Sequence, residues 1–260
     1  MNSCFESNSH CGTKRIHLPV ADKCYANCYY CQFRNNGNLS DQKMPGHSSW
    51  IPYGPQKIKE YLDARMKLLP HCEILGVSGP GDILSSQSQL AALINLVCSP
   101  NYSHIPSCIC TNGWDFPAAA PLLDKWETLS YVTVTINSLD PTMCTKIYYH
   151  PEVQTQFYLE KIKSQIRLLR WAAERGIMIK INTVLLDYNA ETILPMWSLL
   201  QQIAPIHIFN LLQMDGQEMT IERKVYFSRV YDNIMRQATE KQIPTKRNCK
   251  HCRADSYGGW

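Results

Sequence analysis

Apolar and polar positions along the chain alternate in two rhythms. Short apolar runs at residues 15–20, 74–78, 107–111, 132–137, 178–184 and 207–211 read as strands. Between them lie longer amphipathic stretches, at 55–69, 87–98 and 158–175, that read as helices. In the last of these Leu159, Ile162, Ile166, Leu169 and Ala173 recur at helical spacing. Strands and helices in alternation predict an α/β fold on a parallel sheet. Six such units predict a partial (βα)6 relative of the TIM barrel over residues 15–245, with short extensions at 1–14 and 246–260. In barrels of that kind the functional groups gather at the C-terminal ends of the strands. The pattern contains no internal repeat, no low-complexity tract and no second domain.

Composition narrows the class. A chain of 260 residues that is 45% hydrophobic buries a full core as one domain. The formal charge of +4 is mild and unpatterned; Lys161, Lys163, Arg167 and Arg170 belong to the solvated face of a helix. The absence of a basic tract argues against a nucleic-acid partner. No apolar run approaches the roughly 20 residues needed to span a bilayer, and the opening Met-Asn-Ser-Cys-Phe-Glu is no signal peptide. The twelve cysteines read as metal ligands and core thiols rather than a disulfide framework. They point to a reducing, anoxic cytoplasm.

Three of those cysteines carry the chemistry. Cys24, Cys28 and Cys31 fall in Cys-Tyr-Ala-Asn-Cys-Tyr-Tyr-Cys, on one short loop just after the first strand. A four-iron cubane is normally held by four thiolates, so a loop offering three leaves one iron open. An open iron beside an aromatic-flanked pocket, to which Tyr30 belongs, suits chelation by the amino and carboxylate groups of S-adenosylmethionine (SAM). One electron from the cluster then cleaves the sulfonium, the chemistry of radical SAM enzymes. Zinc is the competing reading, but structural zinc takes four ligands at fixed spacing. No fourth Cys or His follows Cys31 within a few residues.

The other strand ends carry small polar groups. Gly79-Pro80-Gly81-Asp82 follows the second strand, where glycines allow close backbone approach and Asp82 can receive an ammonium group. The same residues also make an ordinary turn. Thr111-Asn112 ends the third strand, Asn137-Ser138 the fourth, and Asn182 lies on the fifth. Each alone reads as a cap or terminator; together, beside the cysteine loop, they suit the ribose, adenine and carboxylate of SAM. Cys108 and Cys110 flank Ile109 and so share one side of the third strand. If that side is the barrel interior, both face the chemistry, one thiol as a ligand and the other as a small core residue. Cys72, Cys98 and Cys144 have apolar or helical neighbours and read as packing residues. Cys249 and Cys252 form a CxxC near the C-terminus, which by itself fits half a zinc site or a redox pair equally.

In order along the chain, these motifs resemble the NifB family, radical SAM maturases of nitrogenase cofactor assembly. The resemblance starts at Arg15-Ile16-His17-Leu18-Pro19-Val20-Ala21 and runs through Gly79–Asp82, Thr111-Asn112-Gly113, residues 132–137 with Asp140-Pro141, and Lys180-Ile181-Asn182. It ends in Cys249-Lys250-His251-Cys252-Arg253-Ala254-Asp255. It implies a radical SAM partial barrel with cluster-binding extensions at both ends. It implies fusion of two four-iron clusters into an eight-iron cluster with a central carbide, one SAM donating the methyl carbon and a second the radical. Cys24, Cys28 and Cys31 would hold the SAM cluster. His17 and Cys108 would bind one substrate cluster and take part in its conversion, His17 as a displaceable ligand. Cys4, Cys249 and Cys252 would hold the other, the two termini meeting over the barrel mouth. A ferredoxin or flavodoxin would supply electrons, and nitrogenase cofactor carriers or scaffolds would take the product.

The resemblance has gaps. The family usually has a further cysteine shortly after the loop, then a glutamate and Arg-Pro-Gly. Here Pro45-Gly46 remains, the cysteine is missing, and Asp41 or Gln42 stands in the glutamate's place. Cys11 follows His10 where the family has paired histidines, so Cys11 is a candidate for the lost thiolate; the alternative is an incidental thiol. The glycine-containing turn after the fifth strand becomes Leu185-Leu186-Asp187-Tyr188-Asn189, and Tyr257-Gly258-Gly259-Trp260 is expected to close over the site. Two other functions compete with cluster fusion: a radical SAM enzyme with an auxiliary cluster that modifies a peptide or small molecule, and a cluster scaffold that no longer cleaves SAM.

Overall fold

The computed structural model describes residue 5 and residues 15–18, 20–21, 23–31, 55–77, 81–150, 152–213 and 220–247. Seven strands pair in chain order as one parallel sheet: β1 (Arg15–Leu18), β2 (Ile74–Val77), β3 (Ser107–Thr111), β4 (Leu129–Thr135), β5 (Met178–Val184), β6 (Ile206–Leu212) and β7 (Thr245–Arg247). The connections carry α1 (Pro55–Leu68), α2 (Gln87–Val97), α3 (Phe116–Leu123), the pair α4 (Pro141–Ile147) and α5 (Thr155–Glu174), α6 (Ile193–Ile203) and α7 (Ile221–Glu240). Spatial order equal to chain order, with every neighbour parallel, means each crossover returns on the same side and advances the sheet by one strand. The outcome is an open, partial barrel of the TIM kind.

Strand alternation divides the sheet into two unlike faces. Ile16, Leu18, Leu75, Val77, Ile109, Val132, Val134, Ile179 and Ile181 are buried in one core with Leu62, Leu93, Leu168, Leu169, Trp197 and Leu200 from the helices. Across the fifth and sixth units, Trp197 stacks on Phe209 with ring centroids 5.0 Å apart and donates its indole N–H to Thr183 Oγ1 at 3.0 Å. The intervening residues face inward, and beyond Ile74, Tyr131 and Met178 at one end they are small or polar: Arg15, His17, Gly76, Cys108, Cys110, Thr133, Lys180 and Asn182. A face of that composition is not built for packing alone.

The seventh strand was not legible from the pattern. Thr245-Lys246-Arg247 has no apolar alternation, and it is a strand because Phe209, Asn210 and Leu211 of β6 pair with it in register. The sheet therefore continues into the segment that leads to the C-terminal CxxC. β4 also begins three residues before the expected 132, at Leu129, where Thr128 and Ser107 tie the two strand starts together through their hydroxyls at 2.9 Å. Helix starts follow their caps. Asp140 accepts Thr142 N–H at 2.8 Å ahead of Pro141 in the first turn of α4, and Thr220 accepts Arg223 N–H at 3.3 Å at the start of α7.

Candidate metal and cofactor site

The cysteine loop leaves β1 and is held from two sides. On one side the turn after β2 clamps it: Gly81 N–H donates to Ala21 O at 2.7 Å and Asp82 N–H to Lys23 O at 2.6 Å. The approach is so close that a Cβ on Gly81 would lie 2.3 Å from Lys23 O and 2.7 Å from its carbonyl carbon, both backbone atoms. Only glycine fits there. On the other side the end of α4 pairs with the loop. Tyr29 N–H reaches Ile147 O at 3.0 Å, Tyr149 N–H reaches Asn27 O at 2.9 Å, and Cys28 bridges Tyr148 in antiparallel fashion. Asn27, at φ 47°, supplies the left-handed step that bends the loop.

Asp82 joins this loop to the end of β3. Buried, it accepts from Leu84 N–H at 3.0 Å, from Thr111 Oγ1 at 2.7 and 2.9 Å, and from Asn112 N–H at 2.6 Å. Burial raises its pKa to about 6 against the opposing pull of those donors. Asn112 then passes the connection on, its side-chain N–H donating to Cys24 Sγ at 3.5 Å. Gln165 of α5 fixes Asn112 by donating to its carbonyl at 2.7 Å and to Thr135 O at 3.1 Å. A similar knot forms beside it. Asn137 donates to Tyr30 Oη at 2.7 Å and accepts Val184 N–H at 2.9 Å, while Ser138 Oγ accepts Asp140 N–H at 3.0 Å. Asn182 Oδ1 takes its bond from Asn210 Nδ2 at 2.9 Å.

The structure thus brings Cys24, Cys28, Cys31, Tyr30, Gly81, Asp82, Thr111, Asn112, Asn137 and Ser138 to one end of the sheet. Asp82, Thr111, Asn137 and Ser138 are buried, and their hydrogen bonds are to protein: they shape and hold the loop. Of the polar residues expected there, Asn112 touches the Cys24 thiol and Tyr30 hydrogen-bonds the Cys28 thiol. Burial pushes the Cys28 thiol up to about 12, with the charge of Cys31 adding to it. Cys24 also rises, first through desolvation and then through the Asp82 carboxylate, although the residue keeps a solvent-exposed side. Cys24 and Cys28, whose ionised forms the protein disfavours, need a cationic partner to become thiolates, which is what iron supplies. Among the described residues no three His, Cys, Asp or Glu side chains converge on a single ion. A cubane places each thiolate on a different iron, so the loop fits a cluster better than it fits zinc.

A second constellation lies on the inner face of the sheet. Register puts His17, Gly76 and Cys108 in one lateral row across β1, β2 and β3. Gly76 leaves that row open: a Cβ there would come within 3.1 Å of His17 Nδ1 and 3.2 Å of Arg15 Cδ. Cys108 continues the row to Tyr131, and Cys110 faces Thr133, which pairs in turn with Lys180. Phe5 packs on this face with Ile74, Cys108, Tyr131 and Met178, its ring 4.9 Å from that of Tyr131. Ile74 and Met178 are the first residues of β2 and β5, so Phe5 covers the end of the interior away from the cysteine loop. Arg15, Lys180 and Lys246 are buried, and Lys180 Nζ stands 5.4 Å from the Phe5 ring. Sequence reasoning did not assign these cations to the site. For Lys180 the signal was present, a charge between Ile179 and Ile181 on a strand. For Lys246 there was none. Cys4, Cys11, Gly79, Pro80, Cys249, Cys252 and residues 257–260 lie outside the described residues.

This fold recurs among solved structures. Streptococcus suis SuiB bound to its precursor peptide SuiA superposes with a TM-score of 0.62 at 14% identity, over 92% of this chain and 50% of that one. The hydrogenase maturase HydG of Carboxydothermus hydrogenoformans superposes with a TM-score of 0.54 at 13% identity, over 90% of this chain and 57% of that one. No family model matches the chain. The likeness to these structures is one of fold. Along nearly its whole length the chain is similar in sequence to NifB proteins. It is 27% identical to the FeMo cofactor biosynthesis protein NifB of Chlorobaculum tepidum over 98% of this chain and 61% of that protein. It is 28% identical to the NifB of Methanocaldococcus infernus, with 98% and 84% covered, and 25% identical to that of Azotobacter vinelandii, with 98% and 52% covered. The chain thus spans about half to four-fifths of the length of these relatives.

Proposed function

We propose that this chain is a radical SAM enzyme of the NifB type, which joins two four-iron clusters into an eight-iron cluster containing a carbide. SAM provides both the methyl carbon and the radical. The observation that carries this reading is the row His17–Gly76–Cys108, an imidazole and a thiol side by side on the inner face with a glycine between them for clearance.

Cys24, Cys28 and Cys31 hold the SAM cluster in this reading, which when bound supplies the electron that opens the sulfonium. The chain's own residues do the rest. Asn112 donates to the Cys24 sulfur, a contact that tunes the electron density of a thiolate ligand. Tyr29, Tyr30, Tyr148, Trp114 and Tyr158 pack as an aromatic wall beside the loop and keep water from it. Arg15, Lys180 and Lys246 are buried cations on the inner face, a charge suited to an anionic iron–sulfur substrate. His17 binds as a neutral imidazole and can leave as the substrate cluster is rebuilt. Cys4, Cys249 and Cys252 hold the second substrate cluster, a low-potential ferredoxin or flavodoxin donates electrons, and a cofactor carrier receives the product. The test is whether iron remains bound when the three loop thiols are removed.

A further inference from the structure

We propose that Cys110 is a third protein ligand, with His17 and Cys108, to the iron–sulfur cluster received by the inner face. This rests on the NifB-type function and supplies a thiolate from within the barrel.

Three observations converge on Cys110. First, it shares a face with Cys108 and stands two residues nearer the cysteine loop on β3. At about 3.3 Å of rise per residue the two Cα atoms are roughly 6.6 Å apart, a spacing from which the two sulfurs can reach two irons of one cluster. Cys108 is buried, whereas Cys110 is only partly so. Second, its surroundings are small and polar. Thr133 is its partner on β4, and Gly76 and Cys108 lie one step below. Lys180, beside Thr133, brings positive charge to the same level. Third, Asn112, two residues further along β3, donates to Cys24 Sγ at 3.5 Å. Positions 108, 110 and 112 therefore form a line from the His17–Cys108 row to the SAM-cluster loop, with Cys110 in the middle.

Binding is a one-for-one exchange. An iron–thiolate bond to the delivering carrier breaks as the iron–Cys110 bond forms. The Cys110 proton passes to the departing thiolate, and no iron changes oxidation state.

The experiment uses the Cys24/Cys28/Cys31→Ala chain, reconstituted anaerobically with iron and sulfide, so that all iron counted belongs to other sites. Cys108→Ala, Cys110→Ala and Cys11→Ala are added to it singly. The expected result is that Cys110→Ala removes at least half as much iron as Cys108→Ala and changes the electron paramagnetic resonance line shape, while Cys11→Ala changes neither. Iron and line shape unaltered by Cys110→Ala, where Cys108→Ala loses iron, overturn the assignment and leave the NifB-type reading standing. No iron in the parent triple variant overturns both. A second measurement needs no variant: in cluster-loaded wild-type protein, iodoacetamide labelling read by mass spectrometry is expected to find Cys110 protected at least tenfold relative to iron-free protein. Equal labelling in the two states contradicts the proposal.

Discussion

Gly81 and Lys23 meet backbone to backbone: a Cβ on Gly81 would fall 2.3 Å from the Lys23 carbonyl oxygen. The glycine in the turn after β2 thus fits against the cysteine loop itself. Gly81→Ala must push the loop off the turn and break the Gly81–Ala21 and Asp82–Lys23 hydrogen bonds. Overpacking of this kind costs about 1–3 kcal/mol. The expected outcome is a lower melting temperature and loss of the loop's iron, read by thermal denaturation and iron counting. Full loop iron at an unchanged melting temperature would show that loop and turn are independent.

Gly76→Ala tests the inner face in the same way. Its Cβ would press on His17 Nδ1 at 3.1 Å and turn the ring out of the row it shares with Cys108. Iron is expected to fall at the inner-face site and to persist at the loop. In the chain lacking the loop thiols the defect should therefore be larger, as a fraction of total iron, than in the intact chain.

Asn137 is a structural knot, and its removal should read as stability. Asn137→Ala leaves the buried Val184 N–H without an acceptor and strips Tyr30 Oη of its donor. An unsatisfied buried group costs about 1–3 kcal/mol. Chemical denaturation of the iron-free protein should show a loss in that range. A stability equal to wild type would place Asn137 among the ligand-binding groups.

Acid should destabilise the fold through His207. Its Nδ1 accepts Ile179 N–H at 3.1 Å at the start of β6, and burial is the main cause that lowers its pKa. An unfolded histidine titrates near about 6.5. Because the folded value lies lower, the unfolded chain binds the extra proton, and stability present above about 6.5 is lost as pH falls through the folded value. The urea midpoint of the iron-free protein is expected to drop on this acid limb, and His207→Gln to flatten it. Parallel profiles for the two proteins would remove His207 as the cause.

How much of this was legible in the sequence differs by element. β3 and β5 could be bounded to the residue because apolar alternation and burial coincide there, whereas β7 exists only through its pairing with β6. The cysteine loop was legible from spacing alone, since three thiols that close together can share one cluster. Asp82 and Asn137 were legible as strand-end polar residues, but their bonding partners were not. Short side chains at such positions serve ligands and neighbouring backbone alike, and the tertiary fold gives these two to their neighbours. The adjacency of His17 and Cys108 came instead from strand register, and the glycine between them looked like any other small residue in a strand. The buried lysines escaped for a related reason: a charge on a strand is usually solvated, and only closure of the sheet turns Lys180 inward.

In the NifB-type reading iron binds in two kinds of place, at the loop and away from it. That reading is tested most directly by anaerobic reconstitution of the wild-type chain and the Cys24/Cys28/Cys31→Ala variant, with iron counting and electron paramagnetic resonance with and without SAM. SAM is expected to change the wild-type spectrum alone, and the variant to hold two further clusters, about eight irons per chain. A variant that holds one cluster or none would contradict the reading and move the chain to radical SAM chemistry on an organic substrate.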